Sequence, residues 1–117
     1  MGTEFFASDE PQDASTHLVV VRGEIDIFTA PEFKARINDA IEAGRDRVVV
    51  DLSGATLIDS SSLGVLISAH RRLALRDGRL ILACDVPAVL STFKITGLDA
   101  VLELVSSREL ALAAAAA

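Results

Sequence analysis

Asp59, Ser60, Ser61 and Ser62 place three consecutive hydroxyls behind a carboxylate and ahead of an apolar segment with helical spacing. Two chemistries suit such a group. A side-chain oxygen can cap the helix by accepting a hydrogen bond from the free amides of its first turn. A surplus hydroxyl can instead take a phosphoryl group. A helix N-terminus favours negative charge, so a phosphate there adds about −1.5 to −2 charge units and three acceptor oxygens while the fold survives. One cap is enough for one helix, and the residue types alone leave both readings open.

Other chemistries fit the chain less well. Ser60 and His70 are ten residues apart on one predicted helix, about 15 Å of rise, which is too far for a nucleophile and its base. Two histidines, His17 and His70, and one cysteine, Cys84, match no standard zinc spacing. Neither GxxxxGK[ST] nor GxGxxG occurs, so neither common phosphate cradle is present. Among the carboxylates, Asp26, Asp51 and Asp59 sit where strands or helices begin and end. A turn or cap role suits each of them. No metal or cofactor is expected.

Elements that position these residues can be read from periodicity. A short first strand is expected at about 4–8, then a turn at "SDEPQD". "HLVVVRGEIDI" reads as a strand that Gly23 ends or bends. In "TAPEFKARINDAIEAG", Phe33, Ile37, Ala40 and Ile41 share one helical face, with Thr29 and Glu32 as a capping box and Gly44 as the stop. "RVVVDL" at 47–52 is apolar throughout, as in a strand covered on both faces, and a turn is expected at "SGAT".

A second helix follows the serines, with Leu63, Leu66, Ile67, His70, Leu73 and Ala74 on its stripe and Gly78 after it. "RLILAC" at 79–84 is another buried strand, and Cys84 reads as a small buried hydrophobe. Pro87 opens a third helix that ends near Gly97, "VLELV" a last short strand. Ser106 and Glu109 form a second capping box before an alanine-rich helix with little to pack against. Strands and helices alternating in this way predict an α/β domain, a small mixed sheet of about 4–5 strands covered by about 4 helices.

With 117 residues, one domain can bury roughly 65% of its unfolded surface and needs no staples. Half the residues are hydrophobic, which argues against disorder. The net charge of −6 disfavours nucleic-acid binding and is compatible with a basic protein surface. No apolar run reaches the ~20 residues of a membrane span. The N-terminus is acidic and lacks an apolar signal region, so the cytoplasm is the expected compartment.

Three segments together carry a family resemblance: "RGEIDIFTAPEFKARI", "VVVDLSGATLIDSSSLGVLISAHRRL" and "GRLILACDVPAVLSTFKITGLDAVLELVSS". They resemble the STAS domain, in its bacterial anti-sigma factor antagonist branch. The element "DSSSLG" is similar to the family's D-S-[ST]-G-L-G pattern, and Gly23–Asp26 to its G-E-[IL]-D element. The resemblance covers about residues 16–110 and sets the expected STAS domain at 16–112, after an N-terminal segment at 1–15 that includes the short first strand and before an alanine tail at 113–117 that continues the last helix.

It further implies partner switching. The unphosphorylated protein would bind an anti-sigma factor that is also a serine kinase, releasing a sigma factor for transcription. The kinase would bring ATP and magnesium and phosphorylate Ser60, with Ser61 and Ser62 as alternative acceptors. A serine phosphatase would reset the switch. Asp26 and Asp59 would lie near the phosphosite. Ser61, Ser62, Leu63, Gly64, Arg71 and Arg72 would belong to the docking face. Ser62 stands where the family usually has glycine and is expected to add a side chain to that face. Rival readings are an unphosphorylated STAS scaffold, for example beside a transporter ATPase, and a nucleotide or small-ligand sensor. Nothing in the residues supports an enzyme.

Overall fold

A computed structural model describes residues 4–117, so the first three residues of the N-terminal segment lie outside the described residues. Five strands form one mixed sheet in the order β1 (Phe6–Pro11), β2 (Thr16–Ile25), β3 (Arg47–Ile58), β4 (Arg79–Ala83) and β5 (Glu103–Val105). Strand β1 runs antiparallel to β2, and the other neighbours are parallel. The helices are α1 (Ala30–Glu42), α2 (Leu63–Ala74), α3 (Pro87–Thr96) and α4 (Arg108–Ala116). The α/β architecture expected from the alternating pattern is the one observed.

Apolar residues on both faces of the central strands require two covering layers. Val19, Val21, Val48, Val50, Leu80 and Leu82 meet Phe33, Ile37, Leu66, Leu73, Val89 and Phe93 from α1, α2 and α3. Leu18, Val49, Ile81 and Ala83 face the other way and meet Ala111 and Ala115 of α4. The alanine helix therefore has a packing partner, because a small side chain lets it lie close to the sheet. On α2 the buried row is Leu63, Leu66, Ala69 and Leu73, while Ile67 and His70 lie at its edge and Ala74 is exposed. No helix among the described residues is long and apolar enough to cross a membrane.

Several local expectations are corrected. The first strand spans Phe6–Pro11 rather than 4–8. The "SGAT" segment is not a turn: β3 continues through it to Ile58, with Arg22 opposite Gly54, Gly23 opposite Ala55 and Glu24 opposite Leu57. Register shifts fall between Val20 and Arg22 and between Gly23 and Glu24, where Gly23 has φ 89°. The glycine thus marks an irregularity that lets pairing continue.

Thr29 makes no side-chain cap on α1. Its hydroxyl donates instead to the Glu24 carbonyl, at 2.8 Å. The cap of α4 is Ser107 rather than Ser106, its Oγ accepting from the Leu110 amide at 3.2 Å. Gly97 ends α3 in the left-handed region at φ 77°, as its position predicts.

Candidate phosphoacceptor site

Strand β3 hands over to α2 at the edge where the parallel strands end, a common place for function in open α/β sheets. Asp59 is extended, at φ −90° and ψ 162°, and its amide donates to the Ile25 carbonyl at 3.0 Å. That bond pins the start of the serine run to the end of β2. Ser60–Ser62 then form one 3-10 turn that leads directly into α2.

A single carboxylate oxygen organises this turn. Asp59 Oδ1 accepts from Ser61 Oγ at 2.7 Å, from the Ser62 amide at 3.0 Å and from Ser62 Oγ at 2.9 Å. The Ser61 hydroxyl is the main reason that the Asp59 carboxyl is held below its ordinary range; burial opposes this, and the Ser62 hydroxyl and the Ser62 and Ile27 amides assist it. Hydrogen bonds to the ionised form have that effect.

The three serines therefore differ. Ser62 is fully buried, with its hydroxyl satisfied by Asp59. It was expected to add a side chain to the docking surface, but the inward turn of its Cβ removes it from that surface. Ser61 is exposed and bonded to Asp59. Ser60 is exposed, and its hydroxyl makes no hydrogen bond among the described residues.

The loop between β2 and α1 forms the neighbouring wall. Asp26 Oδ1 accepts from the Phe28 amide at 2.9 Å and the Thr29 amide at 3.0 Å, and the Asp26 amide donates to Thr29 Oγ1 at 2.9 Å. This carboxylate is occupied in a turn of its own and bonds neither Asp59 nor the serines. The turn holds Ile27 and Phe28 outward, 67% and 88% exposed. Sequence reading passed over this pair. Their signal was available: two large apolar residues lie between Asp26 and Thr29, outside the apolar stripe of α1.

Along α2, Leu63 turns into the core and Gly64 is exposed, with nothing within 4 Å of where a Cβ would stand. Arg71 and Arg72 are exposed at the other end of the helix. Eleven residues separate Arg71 from Ser60, about 16 Å at helical rise. Arg72 bonds the Asn38 side-chain oxygen of α1 at 2.8 Å. The arginines and serines thus share a helix but not a patch.

Asp51 lies away from the site, buried in the middle of β3. It accepts from the Ser53 amide at 2.9 Å and hydroxyl at 2.5 Å, and from Arg108 Nε at 2.6 Å. No group of three or more His, Cys, Asp or Glu side chains able to hold a metal occurs among the described residues.

Comparison with known proteins identifies the family and the fold. The family model described as "STAS domain" matches residues 9–111. An anti-sigma-B factor antagonist of Listeria monocytogenes is 32% identical over 88 residues, 74% of this chain and 75% of that protein. The anti-sigma-B factor antagonist of Bacillus subtilis is 27% identical over 86% of this chain and 92% of its own length. The crystal structure of an anti-sigma factor antagonist from Mycobacterium paratuberculosis superposes with a TM-score of 0.84. It is 26% identical, and the match covers 97% of this chain and 96% of that one. The chain belongs to the STAS domain family, among the anti-sigma factor antagonists.

Proposed function

We propose that this chain is an anti-sigma factor antagonist that acts by partner switching, with Ser60 as its phosphoacceptor. In the unphosphorylated state it binds an anti-sigma factor that is also a serine kinase, and a sigma factor is released. Phosphate on Ser60 ends that binding, and a serine phosphatase restores it. The chain itself performs no catalysis; the kinase supplies ATP and magnesium. The named relatives support the antagonist role.

The observation that carries the assignment of the acceptor is the division of labour among the serines. Asp59 caps the turn through Ser61 and Ser62, and the Ser60 hydroxyl stays exposed and unbonded. A phosphate there would meet the amide end of α2, so the domain keeps its shape. It would also place its charge beside the Asp59 carboxylate and the exposed Ile27 and Phe28. A surface that docks through apolar contacts then gains a strongly hydrated dianion, and desolvating it opposes binding. Gly64 is exposed beside the same spot, Leu63 is withdrawn into the core, and Arg71 and Arg72 would reach only a partner that extends along α2.

The test is phosphorylation by the anti-sigma kinase in the presence of MgATP, mapped by mass spectrometry. Phosphate is expected on wild type and Ser61→Ala and absent from Ser60→Ala, which still binds the kinase. Phosphate on Ser61 in the wild type would reassign the site. Capture of a transporter ATPase and no kinase would replace the reading with a scaffold. Saturable nucleotide binding by the chain alone would favour a sensor.

A further inference from the structure

Helix α4 covers only part of its face of the sheet. It begins at Arg108, tied to Asp51, and ends with the Ala114 carbonyl on Arg79 at 2.9 Å. Beyond Asp51, towards the ends of β2 and β3, the same face carries Phe6, Arg22, Glu24 and Leu57 with no helix above them. Phe6 and Leu57 are each 42% exposed, and Arg22 and Glu24 are exposed.

Arg22 is held in place there. Its guanidinium lies over the Phe6 ring, 4.4 Å from the centroid. Its stem lies against Gly54 of the neighbouring β3, where any Cβ would collide with the Arg22 Cγ. Two neighbours thus fix this side chain, yet neither Arg22 nor Glu24 forms an ion pair among the described residues. In a chain of net charge −6, an ordered arginine with no carboxylate partner is a group prepared for recognition. A cation resting on an aromatic face with its stem packed loses little freedom when it meets an anion.

We infer that this uncovered part of the sheet docks a second copy of the chain about a two-fold axis. The charge pattern is self-complementary. Arg22 and Glu24 are two residues apart and project from one face of β2, roughly 6.6 Å along the strand. A two-fold axis that lies above this face, parallel to the sheet, perpendicular to β2 and level with Gly23, sets each Arg22 opposite the Glu24 of the other copy. Phe6 and Leu57 flank the two pairs and supply the apolar contact. The start of α4 forms a ledge that limits sliding. This inference is independent of the phosphorylation reading, since neither Ser60 nor Asp59 takes part.

Sedimentation equilibrium across micromolar to millimolar concentration tests it, with circular dichroism melts confirming that each variant folds. Wild type is expected to move from the mass of one 12.4 kDa chain towards twice that value. Arg22→Glu and Glu24→Arg, each placing like charges face to face, are expected to weaken association by about tenfold or more. The double variant R22E/E24R restores opposite charges and is expected to recover most of it. A wild type that stays monomeric throughout overturns the inference. So does association that neither single reversal changes, or single reversals that the double variant fails to rescue. If the chain stays monomeric and the reversals instead weaken binding of the anti-sigma kinase, the face belongs to that partner and self-association is wrong.

Discussion

Two helices in this molecule begin at a strand end with neighbouring serines, and they use them in opposite ways. At α4, Ser107 itself caps the helix by accepting from the Leu110 amide, and the next residue, Arg108, reaches back to buried Asp51. Hydroxyl and charge are both committed to holding the helix on the sheet. At α2, Asp59 takes over the capping, drawing in Ser61 and Ser62, and Ser60 is left exposed and unbonded. A serine beside a helix start is available for chemistry only where another residue does the capping. The aspartate before the serines is therefore what separates a structural helix start from a modifiable one.

The comparison can be broken or sharpened by four measurements, the strongest first. Ser60→Glu puts a fixed charge where the phosphate would go. Its affinity for the anti-sigma kinase is expected to fall more than a hundredfold, about 3 kcal/mol, while its melting curve stays close to wild type. Calorimetric titration alongside a thermal melt reads both. A variant that unfolds would show that the α2 start does not tolerate charge.

Asp51→Ala should act on stability instead. It removes the acceptor of Arg108 and of both Ser53 donors, for an expected loss of about 2 to 3 kcal/mol in urea denaturation, the exposure of Arg108 keeping the figure moderate. The pH dependence follows from the same contacts. Burial pushes the Asp51 carboxyl up, but the Ser53 and Arg108 bonds outweigh it and hold it below the ordinary value of 3.8. The unfolded chain then binds the proton more readily than the folded one. The contribution is complete above about pH 5 and declines as pH falls past the unfolded value and through the depressed folded one. Asp51→Ala should flatten that part of the acid limb of the stability curve.

Asp59→Ala removes the cap and strands the buried Ser62 hydroxyl, with an expected cost of about 1 to 2 kcal/mol. Hydrogen exchange should quicken at the first amides of α2 and leave α4 unchanged. Ser107→Ala is the mirror experiment at the other helix start. It should cost about 1 kcal/mol, speed exchange in α4, and leave kinase binding as in wild type. If Ser107→Ala also quickened exchange at the first amides of α2, the two helix starts would not be independent.

Much of this organisation was legible from residue order. The apolar stripe of α1, the left-handed stop at Gly97, the buried strands around Val49 and Ile81, and the α/β alternation all follow from local rules of period and turn chemistry. So did the place of the serines, between a strand and a helix, and their likeness to a family pattern. These features depend on residues within a few positions of one another, and a linear reading captures them.

Other features depended on residues far apart in sequence. The "SGAT" segment reads locally as a turn and becomes strand because β2 runs beside it with a register irregularity at Gly23. Asp51 reads as a strand-end carboxylate and becomes a buried anchor because Arg108, 57 residues later, folds over it. By itself, the sequence determined which segment carries the hydroxyls and that an aspartate precedes them. Tertiary structure decided which hydroxyl is free. Burial of Ser62 and the sharing of one carboxylate oxygen among three donors arise only when β3 and α2 are packed in place. Hydrogen-bond partners in a folded chain are assigned by geometry in space, and residue order constrains that geometry only across short distances.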